Sequence, residues 1–348
     1  RKVTKNGDIW QVWIGDEQEP RLYRGLVIAN GHHTQPTKPD VPGSFDGEVL
    51  HSNDYKGPEQ FRDKKVLVVG AGNSGLDLSC DAALYGGESF HSLRRGYHII
   101  PKVIFGRPTD VVFEKLKRLK LPKWMVRSVA AMVMKTIIGP YEKYGLPKPD
   151  GEFFEHHPTC SSRYLDLLRH GRINIRPDVK NVEGRTVTFE DGRTQDVDMI
   201  VYATGYKVSL PFFDPQISDD LLDLKNLFIN LFHRNDDSLF FVGLFQPADG
   251  GFWQLADYQS RLMTRFIQSC DKGEKCADNF RKVKAKEFYD IGHGNKYVES
   301  DRHKYEVDHY RYRQVVGKLM KIFPGLSEAN PIAQTSADGE KQPSTEAA

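Results

Sequence analysis

Cysteine is scarce in this chain of 348 residues: Cys80, Cys160, Cys270 and Cys276 are all there are. No two of them form a C-x-x-C pair, which excludes a redox-active dithiol of the disulfide-reductase kind. Sparse, irregular cysteines suit a reducing cytoplasm. Net charge is also nearly absent, 49 basic residues against 47 acidic. That balance gives no electrostatic case for nucleic acid or for an acidic partner surface. Long apolar runs are missing, since no stretch of about eighteen apolar residues occurs. The nearest, Trp124 to Ile138, is broken by Arg127 and Lys135, and reads as a buried or docking helix rather than a membrane span. Metal-ligand spacing is lacking too. His32-His33 and His156-His157 are adjacent pairs, and neighbours diverge on a strand or helix, so neither pair chelates alone. Cys160 beside Ser161-Ser162 has no identifiable base, and reads as a partly buried thiol rather than a nucleophile.

Aromatic residues, by contrast, are plentiful. Twenty Phe and fifteen Tyr can fill sizeable cores, and the length suits two domains.

The stretch that organises the rest is K-V-L-V-V-G-A-G-N-S-G, residues 65 to 75. Lys65 to Val69 is a short apolar run of the kind that forms a buried parallel strand. Gly70, Gly72 and Gly75 follow at G-x-G-x-x-G spacing, and Leu76 to Tyr85 reads as a helix. The first glycine permits a tight turn. The second lets backbone approach a pyrophosphate, and the third lets helix pack on strand. With Asn73 and Ser74, these residues are the candidate dinucleotide site, because a helix N-terminus offers unpaired N–H groups to phosphate. The alternative is a glycine-rich turn that holds no ligand.

The next strand, Glu88 to Leu93, ends in Arg94-Arg95. An NAD site would place Asp or Glu there to accept ribose hydroxyls. Two guanidinium groups suit a 2′-phosphate instead, so the reading is NADPH over NADH. The alternative leaves both arginines simply in solvent.

An internal repeat is visible. Lys2 to Lys5 and Ile9 to Ile14 flank Asn6-Gly7-Asp8, a hairpin signal. A strand from Arg21 to Ala29 follows, ending Ala29-Asn30-Gly31-His32. Later, Thr186 to Glu190, the turn Asp191-Gly192, and Val197 to Tyr202 end in Ala203-Thr204-Gly205-Tyr206. The second copy has its glycine loop far upstream, at Gly70. The first has no room for one. If the copies are built alike, roughly a hundred residues precede the first copy in the parent protein, and this chain is a fragment of it.

Upstream of the glycine loop, Phe45-x-Gly47-x-x-x-His51-x-x-x-Tyr55 resembles the fingerprint of the flavin-containing monooxygenases, with all four fixed positions matched. The related Baeyer–Villiger enzymes usually place Trp where Tyr55 stands. Ile200 to Tyr206 (I-V-Y-A-T-G-Y) and Phe241 to Gly251 (F-V-G-L-F-Q-P-A-D-G-G) resemble the same family, and the run from Arg94 (R-R-G-Y-H-I-I-P-K) is similar to bacterial members. The likeness extends to about Pro324, with its motifs in family order.

This resemblance implies an α/β flavoprotein with two dinucleotide-binding domains, a Rossmann-like NADPH domain inserted in an incomplete FAD domain. Residues 1–60 would be the remnant of the FAD domain, 61–205 the NADPH domain, 206–326 the rest of the FAD domain, and 327–348, rich in Ser, Ala, Pro and Glu, a disordered tail. The cofactors implied are FAD and NADPH, and the co-substrate O₂. The reaction implied is oxygenation of a small-molecule amine, of the N,N-dimethylaniline kind, or a sulfide, through a C4a-hydroperoxyflavin. Cofactor chemistry of this kind needs no acid–base dyad, only positioning and exclusion of water. No catalytic residue is named, because the family's active-site Asn falls in the segment expected upstream, and the fragment alone is expected to be inactive.

The alternatives are a Baeyer–Villiger or N-hydroxylating monooxygenase, and a non-catalytic fragment that binds NADPH or a partner. A homodimer is allowed for. Gln246, Asp249 and Gly250 would lie at the flavin, where a helix from Phe252 to Cys270 begins. A helix N-terminus stabilises charge on a reduced flavin, although a carboxylate at Asp249 opposes that charge unless it caps the helix. His51 has a positioning role in this reading. Further helices are expected at Val111 to Lys120, Ser161 to His170, Ala277 to Phe288 and Tyr305 to Ile322, and strands at Ile173 to Ile175, Asn226 to Asn230 and Ser238 to Val242.

Overall fold

A computed structural model of the chain describes residues 2–118, 122–151, 158–247, 251–292 and 304–323. His156, His157, Asp249, Gly250 and the expected tail at 327–348 lie outside the described residues.

The centre is a five-stranded parallel sheet. Its order is Ile173–Arg176, Glu88–Ser92, Lys65–Val69, Met199–Tyr202 and Glu48–His51. Lys65–Val69 lies in the middle, and Val66, Leu67 and Val68 are fully buried. A strand covered on both faces carries no polar alternation, and this is why the run K-V-L-V-V is continuously apolar. One face packs Val66, Val68, Met199 and Val201 against Phe61, Leu78 and Ala82, the latter two from the helix Asn73–Tyr85. The other face packs Leu67, Val69, Phe90 and Ile200 against Val182, Val187 and Phe189 of an antiparallel meander. That meander is Val179–Gly184, Thr186–Phe189 and Thr194–Asp196.

The fingerprint stretch, expected within the remnant of the FAD domain, joins this sheet. Glu48–His51 is an edge strand, in register with Met199–Tyr202. A β-carbon on Gly47 would meet the Asp198 carbonyl oxygen and the Phe45 ring, both at 2.5 Å. The Tyr55 hydroxyl donates to Asp81 on the glycine-loop helix at 2.9 Å, and its ring stacks on Phe61.

The expected repeat has a structural counterpart. Lys2–Asn6, Ile9–Trp13 and Arg21–Tyr23 form a three-stranded antiparallel sheet, as the later meander does. Each is followed by a strand in a parallel pairing and then by a glycine of positive φ, Gly31 at +74° and Gly205 at +91°. The strand expected from Arg21 to Ala29 is two strands, broken at Arg24-Gly25. Its second half, Leu26–Ile28, leaves the meander and pairs with Leu239–Phe241. The start and the C-terminal part of the chain thus share one four-stranded sheet.

That sheet carries an aromatic core. Phe228, Phe232, Phe240, Phe266, Phe280 and Tyr312 are buried together beneath the helices Phe252–Asp271, Lys275–Lys286 and His309–Met320. The strand expected over Asn226 to Asn230 is only Leu227–Phe228, because Ile229 and Asn230 both turn with φ of +52°. The helix expected from Tyr305 starts at His309, where the Asp308 side chain accepts from the Arg311 amide at 2.7 Å. Glu306–Val307 instead pairs in parallel with Gln246–Pro247, so Gln246 lies in a short strand.

The helix expected at Val111 to Lys120 is described as Thr109–Arg118, and that at Ser161 to His170 is Ser162–Arg169, capped by Ser161. The run from Trp124 is the helix Lys123–Ile138, with Ala130 and Met134 buried and Trp124 and Met132 exposed. Among the described residues no helix is long and apolar enough to cross a membrane.

Candidate functional site

The glycine loop leaves the central strand at its C-terminal end, where parallel α/β sheets receive ligands. Gly70 has φ of +111°, a conformation L side chains rarely adopt, and a β-carbon there would meet the Ala203 carbonyl oxygen at 2.5 Å. A β-carbon on Gly75 would lie 1.9 Å from the Gly70 carbonyl oxygen. The two glycines are therefore needed by the fold itself. Gly72 differs. It is the cap residue of the helix Asn73–Tyr85, with an ordinary φ of −71° and no side-chain acceptor. The helix begins three residues earlier than Leu76, so Asn73, Ser74 and Gly75 form its first turn. Asn73 and Ser74 are exposed and Gly75 is buried. The first-turn N–H groups of this helix receive no side-chain cap from Gly72, which is the arrangement that accepts a phosphate.

Arg94 and Arg95 follow the neighbouring strand, whose last residue, Ser92, accepts from the Gly70 amide at 3.2 Å. Arg94 is exposed, and the Arg95 guanidinium lies 5.3 Å from the centre of the Tyr97 ring. Neither is ion-paired to a carboxylate among the described residues. The structure thus brings Gly70, Gly72, Asn73, Ser74, Gly75, Arg94 and Arg95 to one end of one sheet.

Gln246 belongs to another part of the molecule, beside Glu306–Val307 and ahead of the helix Phe252–Asp271. Gly251 is the cap of that helix and has no side-chain acceptor. Asp249 and Gly250 lie outside the described residues, and with them the question of whether Asp249 caps the helix.

The two regions are joined by a row of rings that sequence reasoning did not assemble. His51, the last residue of the fingerprint strand, meets Tyr206 edge-on at 5.0 Å. Tyr206 stacks on His33 at 4.8 Å, His33 lies 4.0 Å from His32, and His32 lies 6.0 Å from Phe252 at the helix start. His32 and His33 sit side by side because they occupy a loop, where strand alternation does not separate them. Burial, aided by His33, pushes His32 down to about 4, and burial also lowers His51. Both are neutral packing groups at neutral pH. The sequence signals for this row are separate: the fingerprint marks His51, the repeated Ala-polar-Gly-aromatic ending marks His32 and Tyr206, and the expected helix start marks Phe252, with nothing to bring them together. Cys160 is partly buried and its thiol is raised by burial, opposite to an activated nucleophile. No cluster of three or more metal-ligating side chains occurs among the described residues.

The parallel sheet, the strand–glycine turn–helix unit and the uncapped first turn define a Rossmann-type dinucleotide-binding protein. The sequence matches the profile of the flavin-binding monooxygenase-like family over residues 4–328, and the chain belongs to that family. It is 30% identical over 336 residues to flavin-containing monooxygenase 5 of Homo sapiens, covering 91% of this chain and 61% of that protein. It is 34% identical over 226 residues to the probable indole-3-pyruvate monooxygenase YUCCA8 of Arabidopsis thaliana, covering 61% of this chain and 53% of that protein. Among solved structures, cyclohexanone monooxygenase bound to epsilon-caprolactone superposes with a TM-score of 0.64 at 15% identity, covering 92% of this chain and 77% of the other. OTEMO in complex with FAD and NADP gives 0.58 at 20% identity, covering 80% and 68%. These two share the fold. The chain spans about three fifths of the human relative's length.

Proposed function

We propose that this chain is the NADPH-binding portion, with parts of the FAD domain, of a monooxygenase that oxygenates soft nitrogen or sulfur atoms of small molecules. One observation carries the proposal: Gly70, Gly72 and Gly75 form a bare-backbone turn at the end of a central parallel strand, with Arg94 and Arg95 at the end of the adjacent strand. In this reading the amides at residues 72 to 75 hold the pyrophosphate, and the two guanidinium groups hold the 2′-phosphate. The domain division at residues 60, 205 and 326 follows from the same reading, with the strand Glu48–His51 added to the NADPH sheet.

FAD, when bound, supplies the redox and oxygen chemistry, and this chain's residues position and exclude water. Gln246, Asp249 and Gly250 are the proposed flavin-side contacts. The ring row from His51 to Phe252 packs between the two ends, and in this reading helps to exclude water there. His51 and Tyr206 act there by packing.

The test is a titration of the chain with NADPH and with NADH, followed by product analysis of the parent protein with a thioether and a cyclic ketone. Tight NADPH binding, weak NADH binding and sulfoxide formation support the proposal. Lactone formation without sulfoxide points to the Baeyer–Villiger alternative. Absence of nucleotide binding refutes the assignment.

A further inference from the structure

A histidine sits where the central sheet calls for an apolar side chain. His91 is fully buried in the strand Glu88–Ser92, in register with Val68. Its Nε2 lies 2.9 Å from the carbonyl oxygen of Gly70, and its Nδ1 lies 2.6 Å from the hydroxyl of Tyr164, also fully buried. A carbonyl oxygen has no proton to give, so Nε2 carries the hydrogen. Burial pushes His91 down to about 4, so the ring is neutral and Nδ1 is bare. Tyr164 must then donate. The bonds run one way, from the Tyr164 O–H to the imidazole and from the imidazole to Gly70.

Tyr164 lies in the first turn of the helix Ser162–Arg169, and the residues just before that helix grip the same loop. The Thr159 hydroxyl donates to the Ala71 carbonyl at 3.1 Å, and the Cys160 amide donates to the Asn73 side chain at 3.0 Å. Residues 71 and 73 are thus held directly, and Gly70 through His91, from one short segment, 159 to 164, far away in sequence.

We propose that His91 and Tyr164 are positioning residues for the nucleotide loop, fixing the Gly70 carbonyl so that the amides after it converge on the NADPH pyrophosphate. This rests on the reading that the loop takes NADPH. A buried neutral imidazole suits the task because it donates in one fixed direction and needs no counter-charge next to a bound phosphate.

The test uses the whole chain, with thermal unfolding to confirm that each variant is folded. The probes are NADPH and adenosine 2′-monophosphate, which keeps the 2′-phosphate but has no 5′-phosphate for the loop amides to hold. His91→Phe is expected to weaken NADPH by about ten- to a hundredfold, since one buried hydrogen bond and the loop shape it sets are lost, and adenosine 2′-monophosphate by under about threefold. Tyr164→Phe should weaken NADPH by about tenfold, and the double variant no further than His91→Phe alone, because the two act in series. His91→Gln, whose amide can donate to Gly70 and accept from Tyr164, should restore affinity to within about threefold. Nitrogen-15 NMR of the wild-type ring should show the neutral Nε2–H tautomer.

An Nδ1–H tautomer overturns the proposal without any variant. So do unchanged NADPH affinity in a folded His91→Phe chain, or equal losses for both probes. A wild-type chain that binds adenosine 2′-monophosphate and NADPH normally while His91→Phe does the same sinks only this inference. A wild-type chain that binds neither sinks the nucleotide reading beneath it as well.

Discussion

The β-carbon position of Gly75 lies 1.9 Å from the carbonyl oxygen of Gly70. The obstacle is backbone held within the sheet and the loop, not the far end of a flexible side chain, so neither residue can step aside. Gly75→Ala should destabilise the chain by about 3 kcal/mol or more, the upper range for overpacking. Urea unfolding checks this, and a midpoint equal to wild type would show that helix and strand can separate there.

Gly72 should behave in the opposite way. Its φ of −71° is open to any residue, so Gly72→Val should unfold within a few degrees of wild type. The added side chain would stand in front of the helix N-terminus and remove nucleotide binding, a loss of at least about a hundredfold in NADPH affinity. Calorimetric titration of the folded variant decides it. Affinity equal to wild type would rule out this loop as the phosphate site.

If Arg94 and Arg95 hold the 2′-phosphate as proposed, they separate the two nicotinamide cofactors. Each charge-assisted contact to a phosphate contributes about 1.5–3 kcal/mol, so Arg94→Ala with Arg95→Ala should weaken NADPH by about a hundredfold and NADH by under about threefold. The measurement is a pair of fluorescence titrations. Equal losses would show that the arginines do not read the 2′-phosphate.

Lys284 is the least exposed charged side chain of the second region, at 2%. Its amine donates to Asp237 at 2.7 Å and to the His233 carbonyl at 2.8 Å, and Arg281 also binds Asp237. Burial pushes Asp237 up, but its bonds to Arg281 and Lys284 outweigh that and hold it below the usual carboxylate range. Lys284→Met leaves the carbonyl without its partner and Asp237 with one cation fewer. A loss of about 1.5–3 kcal/mol is expected in urea unfolding, the range for a lost hydrogen bond to a charged group, since the Asp237 carboxylate is itself partly exposed. A change near zero would mean that Arg281 alone satisfies the carboxylate.

Acid should destabilise the fold through His91. Its pKa is about 4 in the folded chain against 6.5 when free. Between those values the unfolded chain binds the proton and the folded chain does not, so stability is full above about pH 6.5 and falls toward pH 4. The loss from this one group is about 3 kcal/mol. Stability measured from pH 7 to 4 should therefore fall less steeply in His91→Gln than in wild type. Parallel curves would show that His91 protonates in the folded state without cost.

Much of the first region was legible in the sequence because its signals are local. The central strand is bounded as the apolar run Lys65–Val69 demands, and the glycine spacing fixes a turn that only residues without a β-carbon can make. Glu48–His51 was less legible. Its membership of the sheet depends on pairing with Met199–Tyr202, and nothing in the four residues records that partner. The break at Arg24-Gly25 and the turn at Ile229-Asn230 are hidden for the same reason, since apolar residues flank both and mask the low strand preference of Gly25 and Asn230, while the pairing on either side differs.

The sequence by itself determined the central apolar strand, the glycine turn after it and the helix that follows, because short-range sterics and strand burial impose them on any chain with those letters; the family was legible through the resemblance of its motifs. Only the tertiary structure decided that His91 grips Gly70, that residues 159 to 164 brace the loop, and that His51, Tyr206, His33, His32 and Phe252 form one row. Those contacts join residues far apart along the chain, and burial, not sequence neighbourhood, sets which way each side chain donates and whether it is charged.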